Sequence, residues 1–108
     1  MSATGAGQPE KIVHEGLRLE HDPDRGRYAL WHGPTYVGFL GYARGEDGVL
    51  TLQHTIINEA YSRRGYARAL VTLVLDGLRA DGERIVPECS YVQDYLRRYP
   101  EYDDLVAG

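Results

Sequence analysis

The chain is 108 residues long, enough for one domain with a modest hydrophobic core. It carries 12 Lys and Arg against 16 Asp and Glu, a formal net charge of −4 that argues against general nucleic-acid binding. The single cysteine excludes an internal disulfide framework and indicates a reducing compartment, so we expect a cytoplasmic protein.

The first ten residues are small and polar and predict a disordered tail, followed by a single minimal domain over residues 11–108. Residues 1–8 have no apolar core, so they resemble neither a signal peptide nor a membrane span. The histidines show no paired ligand spacing, so no metal site is predicted. We expect a monomer or weak homodimer with no nucleic-acid or membrane partner.

Four strands are predicted in the first half of the chain. Residues 17–21 and 27–31 flank an Asp-Pro-Asp-Arg-Gly segment, which is a strong hairpin signal. Residues 36–43 are apolar and aromatic, and a Gly-Glu-Asp-Gly turn leads from them into a fourth strand over residues 49–58. These segments predict a meander of antiparallel strands.

The apolar period then changes to steps of three and four residues, which predicts a helix that continues to about Asp81. Gly82 is well placed as its left-handed cap. Residues 84–87 follow as a short strand, which we expect to lie parallel to the fourth strand because a helix joins them.

A second helix is predicted over residues 90–98, with Ser90 as its N-cap and Pro100 helping to stop it. The predicted order is therefore strand, strand, strand, strand, helix, strand, helix. This order indicates an α/β (α+β) fold with a mixed sheet, an antiparallel meander followed by strand-helix-strand-helix.

The most informative segment is the basic, glycine-containing turn within residues 61–70, between the fourth strand and its helix. Backbone N–H groups and the positive end of the helix dipole make such a turn a ready site for phosphate. Gly65 permits a tight turn and close approach of a ligand. Because cations oppose the dipole at a helix N-terminus, Arg63, Arg64 and Arg68 call for a compensating anion.

Residues 62–67 read Ser-Arg-Arg-Gly-Tyr-Ala. Together with the order of elements, this turn resembles the Gln/Arg-x-x-Gly-x-Gly/Ala turn with which the GCN5-related N-acetyltransferases cradle the pyrophosphate of acetyl-coenzyme A. Gly65 and Ala67 match that pattern, whereas Ser62 replaces the usual Gln or Arg. The resemblance implies an acetyl-coenzyme A site with these cofactor-binding residues: Ile56, Ile57, Ser62, Arg63, Arg64, Gly65, Tyr66, Ala67 and Arg68.

A narrower resemblance covers residues 36–106. The chain is similar to a small single-domain branch of that family, which shares His-Thr on a strand, Pro-x-Cys-x-Tyr/Phe, and Arg-Arg-His/Tyr-Pro-Glu-Tyr. These motifs stand here at residues 54–55, 87–91 and 97–102. The branch commonly continues His-Thr with Glu-Val, and Ile56 with Ile57 in that place removes a carboxylate from the strand.

The family's chemistry implies roles for further residues. A backbone N–H near Ile56 or Ile57, where the strand bulges in relatives, would bind the thioester oxygen. Tyr95 on the last helix would protonate the leaving thiolate, and Glu59 lies just past the strand where larger relatives often have a base. Tyr95 matches the family tyrosine loosely, because Tyr99 and Pro100 replace the Gly-Phe that should follow.

Two of the catalytic candidates have alternative interpretations. Cys89 is either a thiol beside the thioester, which accepts the acetyl group or senses coenzyme A, or a small buried residue without chemistry. His54 either pairs with Cys89 across adjacent parallel strands or is held by structural hydrogen bonds.

The sequence therefore predicts an acetyl-coenzyme A-binding N-acetyltransferase that transfers acetyl to a primary amine by direct attack, with catalytic candidates Cys89, Tyr95 and His54. A protein or peptide amine is favoured, because the chain lacks the N-terminal helical segment with which larger relatives build an acceptor pocket. The alternative is a coenzyme A-binding module with little or no catalysis. A third reading is an acidic adaptor domain whose turn is purely structural.

Overall fold

The computed structural model describes residues 16–107, so the predicted disordered tail over residues 1–10 lies outside the described residues. The elements follow in the order β1 Leu17–Asp22, β2 Arg27–His32, β3 Thr35–Arg44, β4 Leu50–Ile57, a 3₁₀ helix Glu59–Tyr61, α1 Tyr66–Ala80, β5 Ile85–Pro87, α2 Ser90–Arg98 and a second 3₁₀ helix Pro100–Leu105. Among these residues, no helix is long and apolar enough to cross a membrane.

The strands form one five-stranded sheet in the order β1-β2-β3-β4-β5. Strands β1 to β4 are antiparallel to their neighbours, and β5 pairs with β4 in parallel. The predicted meander, the parallel fifth strand and the mixed α/β class are confirmed. The first hairpin turns at Gly26, whose φ of 63° favours glycine and whose N–H donates to Pro23 O at 3.2 Å.

Both α-helices pack against the sheet and contact each other. The apolar side of α1 and α2 meets fully buried strand residues such as Leu30, Leu40 and Leu52. Burial of each such side chain contributes about 1.5–3 kcal/mol to folding. Within residues 16–107, no helix covers the other sheet face, where Trp31 packs edge-on against Tyr36.

Of the two predicted helix caps, the C-terminal cap of α1 is confirmed and the N-cap of α2 is wrong. Gly82 has φ 73° and follows α1, and the N–H groups of Gly82 and Glu83 donate to the last turn, which confirms the left-handed cap. The N-cap of α2 is Cys89, and Ser90 is the first helical residue, so the prediction of a Ser90 cap is wrong. Cys89 takes that position because its extended backbone still presents its carbonyl to Gln93 N–H, at 3.0 Å.

Strand β4 contains an extra residue, Gln53. Leu52 lies opposite Tyr42, and His54 lies opposite Gly41. Between these two pairs β4 moves on by two residues while β3 moves on by one. The bulge reverses the alternation of side chains along β4. Before it, the even-numbered Leu50 and Leu52 face the helices, and after it the odd-numbered residues do.

The sheet divides beyond Leu52. Strands β4 and β5 pair only from Leu50 to Leu52 on the β4 side. Leu52 O accepts two hydrogen bonds, from Glu88 N–H at 3.0 Å and Cys89 N–H at 2.9 Å, and the chain then turns into α2. In the described part of the chain, the edge of β4 from residue 53 onward therefore has no neighbouring strand on the β5 side.

A methyl group added at two different glycines of β3 should lower the free energy of unfolding by different amounts. A Cβ at Gly38 would collide with the backbone of β4, at Ile56 O and, at 2.9 Å, at Ile57 Cα. We expect Gly38→Ala to lower the free energy of unfolding by about 2 kcal/mol or more, because the two strands must separate. Urea denaturation measures this difference.

Gly41→Ala is the matched control. The atoms nearest to its Cβ would be those of the His54 ring, at 2.7 Å from Nε2, and His54 is exposed and free to swing into solvent. We expect a loss of less than about 1 kcal/mol. Equal losses in the two variants would contradict this account of the β3–β4 contact.

Candidate active site

The turn before α1 holds two residues in the left-handed region. Asn58 Oδ1 caps the short 3₁₀ helix by accepting from Ala60 N–H at 3.1 Å. Arg63 then has φ 62° and Gly65 has φ 85°. A left-handed conformation costs an arginine about 1–3 kcal/mol, and such strain concentrates at ligand sites. Left-handed residues of this kind turn neighbouring N–H groups into one concavity that suits an anion.

The N-terminus of α1 adds to this concavity. The first main-chain hydrogen bond of the helix runs from Ala69 N–H to Gly65 O, at 3.0 Å, so the amide of Ala67 points out of the helix end. The Gly65 cap makes no side-chain hydrogen bond, and the first turn holds no acidic residue. The positive end of the helix dipole therefore faces the loop before α1, and no carboxylate in the first helical turn offsets it.

An open groove of about 440 Å³ lies against this turn. Six of the nine predicted cofactor-binding residues line it, together with two tyrosines. The lining residues are Ile57, Tyr61, Ser62, Arg63, Gly65, Ala67, Arg68 and Tyr91.

Three predicted cofactor-binding residues lie elsewhere. The Ile56 side chain is 49% exposed and belongs to the sheet face opposite the helices. The Arg64 side chain is exposed outside the groove lining. Tyr66 is buried behind the turn, where its hydroxyl lies 3.1 Å from His32 Nδ1 and its ring packs edge-on against Tyr61.

The orientation of β4 decides which amides face the groove. A strand residue directs its N–H and C=O to the same side, and the next residue directs them to the other. Asn58 N–H donates to Val37 O at 2.7 Å, and Ile56 O abuts Gly38, so both residues face β3. Ile57 and Thr55 consequently face the open edge. Of the two predicted oxygen-binding amides, Ile57 is available there and Ile56 is not, and the bulge lies at Gln53 instead.

Cys89 lies where the sheet divides. Its side chain is 7% exposed, its N–H donates to Leu52 O, and its sulfur lies 3.5 Å from Thr55 Oγ1. Thr55 is the first β4 residue after the bulge to face the helix side. The thiol is thus held at the inner end of the open edge.

His54 is on the other side of the sheet. Its exposed ring meets Phe39 edge-on, with centroids 5.9 Å apart, and covers Gly41. Because Thr55 contacts Cys89 and adjacent strand residues point to opposite faces, His54 points away from the thiol. The Cys89–His54 pair, one of the two alternatives for His54, is therefore not formed.

Tyr95 is buried between the helices. Its hydroxyl lies 2.6 Å from Thr72 Oγ1 on α1, and its ring packs on Tyr99 at 4.6 Å. A side-chain hydrogen bond joins it to Tyr102, whose hydroxyl donates to Asp76 at 2.6 Å. The predicted proton donor thus belongs to a chain of hydroxyls that ties α1 and α2 to the C-terminal segment.

Three residues of the site were not among the predicted site residues: Tyr61, which lines the groove, Tyr91 and Thr55. Tyr91 lines the groove and shares a hydrogen bond with Arg68, and Thr55 holds the Cys89 sulfur. The signal for Tyr91 was its place in the Pro-x-Cys-x-Tyr motif, and it is the second residue of α2. Thr55 stands in the His-Thr motif, but its orientation toward Cys89 depends on the bulge, which the motif does not reveal.

A mixed sheet that opens after a bulged strand, with an anion-binding turn leading into the next helix, defines an acetyltransferase-type fold and site. The chain belongs to the GCN5-related N-acetyltransferase family, since the sequence model of that family matches residues 27–105. The predicted family is confirmed, and membership in it supports acetyltransferase function.

The individual relatives that match this chain have low sequence identity to it. Protein NATD1 of Homo sapiens is 28% identical over 103 residues, which cover 93% of this chain and 91% of that protein. Protein NATD1 of Mus musculus is 28% identical over 95 residues, or 85% and 86% of the two chains. The solution structure of a GCN5-like protein from Staphylococcus aureus superposes with a TM-score of 0.64, at 16% identity, over 88% of this chain and 92% of that one, and shows the shared fold.

The hydroxyl chain predicts a loss of stability in alkali. Burial, reinforced by the hydrogen bond to Asp76, raises the pKa of Tyr102 to about 12. The folded state therefore favours the neutral phenol, and its contribution is complete below about pH 10 and is lost as the pH rises through 12. We expect Tyr102→Phe to lower the free energy of unfolding at pH 8 by about 1–2 kcal/mol and to flatten its decline above pH 10. An unchanged alkaline slope in urea titrations would contradict this prediction.

Proposed function

We propose that the protein binds acetyl-coenzyme A in the groove and transfers the acetyl group to a primary amine, with a protein or peptide amine as the acceptor. The observation that carries the proposal is that two sets of main-chain N–H groups meet at one groove. One set belongs to the turn around Gly65, and the other to the open edge of β4 at Ile57.

The turn suits a pyrophosphate. Members of the family use acetyl-coenzyme A as the acetyl donor. Amides at a helix N-terminus bind phosphate oxygens whatever the neighbouring side chains are, so Ser62 in place of Gln or Arg leaves that function intact. Arg63 and Arg68 line the same groove and add the positive charge that two phosphates require.

The open edge of β4 suits an amide-containing tether. The pantetheine arm of coenzyme A is extended and has two amide groups, so it pairs with a free strand edge much as an added peptide strand does. Thr55 and Ile57 supply the donors and acceptors on that edge. An arm bound there leads from the turn toward Cys89.

Acetyl-coenzyme A supplies a thioester whose carbonyl carbon an amine attacks. An edge amide of β4, at Thr55 or Ile57, donates to the carbonyl oxygen as negative charge develops on it. Cys89 Sγ, held by Thr55, carries a proton for the departing thiolate. The acetyl group passes directly to the amine in this scheme, and the proton that the amine loses restores the Cys89 thiol.

Exposed apolar residues support a peptide acceptor. Ile56 and Val86 are 49% and 41% exposed, and the strand register puts both on the sheet face opposite the helices, beside the gap between β4 and β5. A peptide gains hydrophobic contacts there that a small metabolite cannot use fully.

Gly65→Ala tests cofactor binding. The left-handed φ of 85° penalises any Cβ, so the turn should change shape. We expect acetyl-coenzyme A to bind at least about tenfold more weakly in calorimetric titrations. Gly77→Ala is the control, because it lies on α1 with nothing within 4 Å of an added Cβ, and its affinity should equal that of the unmodified protein.

Cys89→Ala and His54→Ala test the chemistry. With a peptide amine and saturating acetyl-coenzyme A, we expect Cys89→Ala to lower kcat at least about tenfold without weakening cofactor binding. His54→Ala should keep the original kcat at saturating peptide, because its ring lies on the sheet face opposite the thiol and cannot reach the thioester. Release of the coenzyme thiol measures both rates. An unchanged rate in Cys89→Ala would remove the thiol from the mechanism.

A second candidate function is a coenzyme A-binding module with little catalysis. The orientation of Tyr95 and His54 favours it, since one hydroxyl is engaged by Thr72 and one ring faces away from the open edge. Tight binding of acetyl-coenzyme A without thiol release, across a panel of peptides and small amines, would establish this function in place of the first.

A further inference from the structure

A second cavity adjoins the groove on its helix side. It encloses about 90 Å³ between α1 and α2 and is lined by Arg68, Tyr91, Asp94, Tyr95, Arg98 and Tyr99. Arg68 and Tyr91 line the groove as well, so the two spaces share one wall.

The charges around this cavity are unequal. Arg97 forms an ion pair with Asp94, which offsets the one carboxylate of the lining. Arg98 lies in the last turn of α2, and among residues 16–107 no ion pair or hydrogen bond engages its side chain. The cavity therefore has one guanidinium group held at the shared wall, on Arg68, and a second one available for a ligand.

Tyr91 lines this cavity together with both arginines, Arg68 and Arg98. Burial raises the pKa of its phenol, and the charges of Arg68 and Arg98 oppose that rise. The Tyr91 hydroxyl already hydrogen-bonds Arg68, and Arg98 lines the same cavity. Two guanidinium groups and a phenol that converge on one small space are the donors a phosphate monoester needs.

We infer that this cavity binds the 3′-phosphate of coenzyme A, with Arg98 as the residue that distinguishes coenzyme A from its 3′-dephospho form. The inference rests on the proposed function, in which the pyrophosphate occupies the turn beside Arg68. One ribose separates the pyrophosphate from the 3′-phosphate in coenzyme A, and one shared wall separates the groove from the cavity. Arginine suits the dianion because its planar fork donates two parallel hydrogen bonds.

Calorimetric titration with coenzyme A and with 3′-dephospho-coenzyme A tests the inference. We expect the unmodified protein to bind coenzyme A at least about tenfold more tightly than the dephospho form. Arg98→Gln should remove most of that preference by weakening coenzyme A binding, while the affinity for the dephospho form stays the same. Arg18→Gln is the matched control, because it removes one exposed positive charge above Trp31, on the far sheet face, and should keep the preference.

The outcomes separate this inference from the proposed function. Equal binding of the two ligands to the unmodified protein would overturn the 3′-phosphate site and leave the coenzyme A groove intact. A preference that survives in Arg98→Gln would overturn the assignment to Arg98. Failure to bind either ligand at millimolar concentration would overturn the proposed function and this inference with it.

Discussion

The two hydrogen bonds accepted by Leu52 O determine the shape of the site. By taking the N–H groups of both Glu88 and Cys89, this carbonyl ends the parallel ladder after three residue pairs and directs the chain into α2. The rest of β4 is then left with an open edge, and Cys89 is fixed at the inner end of it. Without that early divergence, β5 would cover the edge at which Ile57 faces the groove.

The groove joins two kinds of preorganised donor. The turn at Arg63 and Gly65 offers amides for a compact anion, whereas β4 offers alternating donors and acceptors for an extended chain. A ligand with a doubly charged end and an amide-containing arm suits both at once. This combination explains how a chain of 108 residues can present a large site from backbone atoms, with few dedicated side chains.

The sequence predicts the elements well because their signals are local. Glycines mark the turns, and the change from alternation to a three- and four-residue period marks α1. The site is harder to predict, because one extra residue in a strand changes the sheet face to which every following side chain points. Gln53 has no sequence signature as a bulge, yet it decides that Thr55 rather than His54 meets Cys89. The position of the Tyr95 hydroxyl likewise depends on Thr72, a partner on α1. No residue spacing within α2 reveals that contact.

The open edge of β4 has a further consequence for the behaviour of the protein without ligand. Unpaired N–H and C=O groups on a strand are a template for pairing with another chain, and proteins usually cover or shorten such edges. Among residues 16–107, the short 3₁₀ helix and α2 flank the edge but do not fill it. Under the proposed function, a ligand in the groove would also cover these groups and protect against aggregation, which would link ligand supply to solubility.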